Sequence, residues 1–161
     1  ESFYDGGCLV TKLDWNLLYL SAGDPNMISL LLPYCPANQS DIKERSALEC
    51  AVEIQNVRSV QLLLAAGADP ERKNKRNAVK LALCNLRFCD SKTINQAKQI
   101  FIELMAKIQS GPHARPHIVN EMIDLHRRSR SIDRKYCALK EKKPERCHFC
   151  EFVPELKARF G

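Results

Sequence analysis

The sequence predicts an all-α protein: a short solenoid of about three degenerate helix-turn-helix units, followed by a C-terminal helical extension. Three observations carry this. Apolar residues recur at helical rather than alternating spacing through most of the chain. The pattern repeats, with Leu18, Leu48 and Val79 about 30 residues apart. Val57, Val60, Leu62, Leu63 and Leu64 make one short helix apolar over most of its surface. Such a helix must be covered on both sides, which a single helix pair cannot do.

Taken in order, Asp5, Gly6 and Gly7 signal a turn, and residues 1–12 read as the end of a truncated repeat. Residues 16–22 then form the first helix of a unit. Asp24-Pro25 punctuates it, with Pro25 suited to open the next helix. Met27 to Leu32 is that second helix, ended by Pro33 and Pro36, and Asn38 to Lys43 form a loop. In the next unit Ser46 is a helix cap, Leu48, Ala51 and Val52 mark the face of the first helix, and Gly67 closes the second. The third unit opens at Asn77, Ala78 and Val79. Residues 83–91 hold an insertion of about ten residues relative to the unit before it. A longer helix follows from Thr93 to Gln109. A boundary falls at Ser110, Gly111 and Pro112, dividing a repeat array over 1–111 from an extension over 112–161. In the extension, residues 116–126 form an amphipathic helix that caps the stack, residues 131–142 a second, polar helix, and residues 147–161 show no strong periodicity.

The stretch from Ser46 to Pro70 resembles one repeat of the ankyrin family. Ser46, Ala47, Leu48 and Glu49 stand where that family has Thr-Pro-Leu-His, and Ala51-Val52 stands for its Ala-Ala pair. Residues 60–69, Val-Gln-Leu-Leu-Leu-Ala-Ala-Gly-Ala-Asp, match its second helix and exit turn. Asn56 stands where the family often has a glycine between the helices, and Asn tolerates left-handed backbone better than most residues. The Pro and His are missing, and with them the hydrogen bonds that this His makes.

The resemblance implies non-catalytic protein recognition, as a scaffold, adaptor or effector, through loop tips and the exposed face of each first helix. Carried onto this sequence, that surface comprises Lys43, Glu44 and Arg45 in one loop and Arg72, Lys73, Asn74, Lys75 and Arg76 in the next. Tyr19, Glu49, Glu53 and Lys80 join it from the first helices. The partner is expected to be another protein.

The chain has 161 residues, 45% of them apolar and 27% charged, an ordinary globular balance rather than a disordered one. No apolar run suits a membrane crossing. Beginning at Glu1 rather than Met, the chain is compatible with being a fragment, so a missing leader decides nothing. Eight cysteines, several inside helical apolar patterns, fit a reducing compartment, cytoplasmic or nuclear, better than a disulfide scaffold.

The net charge of +6 is concentrated after His113, where arginines and lysines outnumber acids, and all four histidines lie there too. Arg127, Arg128, Arg130, Arg134 and Lys135 make a dense basic run, so nucleic-acid binding is one alternative function. Aromatic residues for base stacking are sparse in it. The other alternative is an enzyme or a zinc-dependent module sited in the extension. Cys147 and Cys150 form a Cys-x-x-Cys pair, with Cys137 upstream. With His126 they make a four-ligand set for a structural zinc, His117 or His148 being alternatives for the fourth position. A redox use of the pair lacks its usual βαβ setting, and no nucleophile motif accompanies Cys147.

Overall fold

The computed structural model of the chain describes residues 4–5, 8–9, 17–38, 46–71, 77–88, 91–111, 114–139 and 148–160, with backbone alone at 4–5, 8–9, 88 and 129–139. A two-residue antiparallel pair, β1 (Tyr4–Asp5) with β2 (Cys8–Leu9), precedes the helices. These are α1 (Leu17–Leu20), α2 (Pro25–Leu31), α3 (Ala47–Glu53), α4 (Val57–Ala65), α5 (Ala78–Phe88), α6 (Ile94–Ser110), α7 (Ile118–Leu139) and α8 (His148–Phe160).

Local chemistry sets the helix starts. The Asp24 carboxylate accepts the N–H groups of Asn26 at 3.1 Å and Met27 at 3.3 Å, and Pro25 occupies the first turn of α2, where its missing N–H costs nothing. Ser46 and Glu49 form a reciprocal capping box on α3, both bonds at 3.3 Å. Asn56 Oδ1 accepts from Ser59 N–H at 3.1 Å at the head of α4, and Asn77 Oδ1 from Lys80 N–H at 2.9 Å at the head of α5. Gly67, at φ +94°, ends α4 in the left-handed region, as expected of a glycine past the last helical turn.

The turn between α3 and α4 departs from expectation. The residue in the left-handed region is Gln55, at φ 61°, while Asn56 stays extended and caps α4. The Asn side chain is worth more as an acceptor for Ser59 N–H than as a conformational hinge.

The helices pair as α1–α2, α3–α4 and α5–α6 and stack in two layers. The first helices α1, α3 and α5 pack in succession, as do the second helices α2, α4 and α6. Asparagines tie the units together. Asn56 Nδ2 donates to the Gly23 carbonyl at 3.2 Å, and Asn85 Nδ2 to the Val52 carbonyl at 2.9 Å. Asn38 accepts from Asp69 N–H at 2.6 Å and donates to the Gly67 carbonyl at 3.1 Å. Each bond joins one unit to its neighbour. Between the layers, buried Ala47, Ala51, Ala82 and Ala97 supply small side chains, while Leu48, Leu63, Leu86 and Leu104 fill the remaining space.

Three features of the second half differ from the expectation. The first helix of the third unit runs on through residues 83–88, so part of the insertion is helix, and Leu86 in it is fully buried. The extension has one helix over 118–139 where two were expected, because no Pro or Gly interrupts the sequence there. Residues 148–160 form α8, where no periodicity was read. Phe149, Phe152 and Leu156 lie at helical spacing and are buried, and the helix runs through Pro154.

Helix α6 ends at Ser110, and Gly111 follows it. In packing, the extension is continuous with the last unit. Helix α8 lies against α5, α6 and α7, and its buried side chains join the same apolar cluster as α5 and α6. Phe101 of α6 meets Phe149 edge-on, with centroids 5.8 Å apart, and Phe152 at 6.4 Å. Arg115, at the entry to α7, pairs with Glu71 in the exit turn of the second unit and with Glu121.

Candidate functional site

Among the residues expected to meet a partner, Tyr19, Glu53 and Lys80 stand on α1, α3 and α5, three successive first helices. Glu53 and Lys80 are exposed and Tyr19 is half-buried. Glu49 does not join them. The residue is 7% exposed and its carboxylate is turned back onto the Ser46 N–H, so it serves the capping box and not a surface. The loop residues Lys43, Glu44 and Arg45, and Arg72, Lys73, Asn74, Lys75 and Arg76, lie outside the described residues.

One surface feature was missed in the sequence. Leu20, Met27, Leu30 and Tyr34, all on or beside α1 and α2, are exposed apolar side chains, Leu30 at 67% and Tyr34 at 58%. Aligning the caps Asp24 and Asn56 shows what these positions do one unit later. There Leu20 becomes Val52 and Met27 becomes Ser59, both at 0% exposure in α3 and α4. The signal lay in the repeat alignment and not in hydropathy, since a buried position such as Ser59 is the less apolar of its pair.

The zinc set divides. His126 Nε2 lies 3.1 Å from Cys150 Sγ, so the fold brings these two together from α7 and α8. His126 is 4% exposed, and the Phe149 ring tilts against its imidazole at 4.7 Å. Cys137 cannot share an ion with His126. Both belong to the continuous helix α7, and eleven residues at 1.5 Å each separate their backbones by about 16 Å along its axis. His117, exposed before the start of α7, lies too far the other way by the same reasoning, about 13 Å. Cys147 lies outside the described residues, and His148 opens α8. Among the described residues no three His, Cys, Asp or Glu side chains gather closely enough to hold a metal ion.

The basic run is described in part. Arg127 and Arg128 are exposed on α7, and Arg127 stands 4.0 Å from Asp124, a contact that is weak at the surface. The side chains of Arg130, Arg134 and Lys135 lie outside the described residues. A groove of about 280 Å³ runs between the exit turn Gly67–Glu71 and the end of α6, where Lys107, Ile108 and Gly111 line it. Among the described residues its lining contains no His and no Cys.

Stacked helix pairs with capped starts, a glycine-ended second helix and bonds from unit to unit define a helical-repeat solenoid. Residues 43–75 match the family model of the ankyrin repeat, the family that the sequence resembles there. Ankyrin repeats generally bind other proteins and are generally non-enzymatic. Comparison with curated proteins and with solved structures gives no match. No helix among the described residues is long and apolar enough to cross a membrane.

Proposed function

We propose that the chain is a non-catalytic protein-recognition module, a scaffold or adaptor piece, whose partner lies across the first helices and the loops that follow each unit. One observation carries this reading. The first helices α1, α3 and α5 stack in succession and offer exposed charged side chains, Glu53 on α3 and Lys80 on α5. A stacked array offers an extended surface that no single helix pair has, and recognition is the use such surfaces serve. A buried thiol at Cys35 and an exposed one at Cys84 support placement in a reducing compartment, cytoplasm or nucleus.

Affinity capture with the chain as bait tests the surface. Proteins retained by the wild type are compared with those retained by Glu53→Lys plus Lys80→Glu, and by Arg58→Glu on the opposite layer. The reading expects a retained protein that the double substitution loses and Arg58→Glu keeps. Equal recovery in all three means the partner uses another face.

A further inference from the structure

Among the described helices, α1 and α2 stand at one end of the stack, packed on α3 and α4. Leu20 there is 49% exposed and Met27 41%. The same two positions are closed in both later units. Leu20 corresponds to Val52 and, through the caps Ser46 and Asn77, to Leu83, and both of these are buried. Met27 corresponds to Ser59 and Ile100, both buried, because the buried set Ser59, Val60, Leu63 and Leu64 of α4 recurs as Ile100, Phe101, Leu104 and Met105 of α6. A position closed in the second and third units and open in the first faces the side where each later unit meets the one before it. Leu30 and Tyr34 continue the apolar stripe from Met27 at helical spacing. The end unit of a solenoid ordinarily turns a polar face to water, and this one turns an apolar face.

Charge narrows the choice of occupant. Asp24 is the one charged residue from Leu17 to Asn38, and its carboxylate is taken up by the N–H groups of Asn26 and Met27. The face has no charge to match a charged partner, and it meets no repulsion from a copy of itself. A copy cannot stack on it head to tail. Such stacking needs the far side of α5 and α6, which α7 and α8 cover. The apolar face that a second chain still offers among its described residues is the same one. We propose that two copies of the chain pair through α1 and α2, like face to like face, about a two-fold axis. Leu20, Met27, Leu30 and Tyr34 of each copy fill the contact. The pairing closes on itself, so it stops at two chains, and it does not rest on the partner surface proposed above. Helix α2 spans about 10 Å and α1 is shorter. The contact is smaller than the roughly 800 Å² per partner of a tight dimer, so a dissociation constant of about 10–100 µM is expected.

Sedimentation and light scattering of the full chain in reducing buffer, from about 1 µM to about 1 mM, test the pairing. The mass should rise from one chain to two across that range and stop there. Met27→Glu and Leu30→Glu should each weaken association at least about tenfold, because each sets carboxylates of the two copies against one another. Arg58→Glu, exposed on α4, should leave it unchanged. Met27 and Leu30 are exposed, so circular dichroism and the thermal midpoint of both variants at about 1 µM should match wild type. A monomer at every concentration overturns the proposal and leaves the face to another protein or to residues of the chain outside the described ones. A mass that grows past two chains overturns it, as does a dimer equally tight in Met27→Glu plus Leu30→Glu. The wild-type mass curve needs no substitution, so a misfolded variant leaves the test intact.

Discussion

Asn85, on α5, donates its side-chain N–H to the carbonyl of Val52 on α3 at 2.9 Å, across 33 residues of sequence. Asn56 makes the same kind of bond to Gly23 one unit earlier, also across 33 residues. The spacing of the two bonds is the repeat itself, expressed as hydrogen bonding.

These bonds should matter to stability in graded fashion. Asn85→Ala removes this inter-unit bond while the Val52 carbonyl keeps the Gln55 N–H, so it should cost about 0.5–1.5 kcal/mol. Asn56→Ala loses both the bond to Gly23 and the cap on Ser59, so it should cost about 1–3 kcal/mol. Asn56→Asp keeps the acceptor and loses the donor, and it should fall between Asn56→Ala and wild type. Urea denaturation followed by circular dichroism gives all three values. An Asp variant as unstable as Ala would mean that the Gly23 bond, and not the cap, dominates.

The extension should be thermodynamically part of the array. Phe149 and Phe152 are buried against Phe101, so Phe149→Ala should cost about 3–5 kcal/mol, and exposed Glu155→Ala less than about 0.5 kcal/mol. Hydrogen exchange should show weaker protection in α5 and α6 for the Phe149 variant, since α8 packs on both. Loss of protection confined to α8 would show that it is a loose appendage.

Gln55 and Gly67, left-handed among the described residues, predict opposite signs. Gly67→Ala meets open space, with no atom within 4 Å of the new Cβ, so its cost is conformational, about 1 kcal/mol. Gln55 holds φ 61° with a full side chain, so Gln55→Gly should relieve strain and raise stability by up to about 1 kcal/mol. Thermal midpoints of the two variants should move in opposite directions. A Gln55→Gly variant less stable than wild type would show that its side chain contributes more than the strain it causes.

Much of the array was legible because its signals are local. Ser46, Gly67 and Asp24-Pro25 act on backbone groups within a few residues, so their roles can be read from neighbours in sequence. Asn56 shows the limit: two local roles were open to it, and only the geometry of the α3–α4 turn chose between capping and the left-handed hinge. Helix α8 was present in the spacing of Phe149, Phe152 and Leu156. Pro154 and the shortness of the run hid it, and its apolar face gains meaning only from Phe101, some fifty residues earlier.

The sequence by itself determined the helical class, the repeat and most helix starts, because periodicity and capping depend on residues within one or two turns. It also named Glu49 and Cys137 for roles they do not take. Tertiary structure turned Glu49 inward, because the Ser46 N–H needed an acceptor. It carried Cys137 away from His126, because the helix between them does not break. It alone brought His126 to Cys150, because a contact across 24 residues depends on how α7 and α8 cross, and no local rule records that angle.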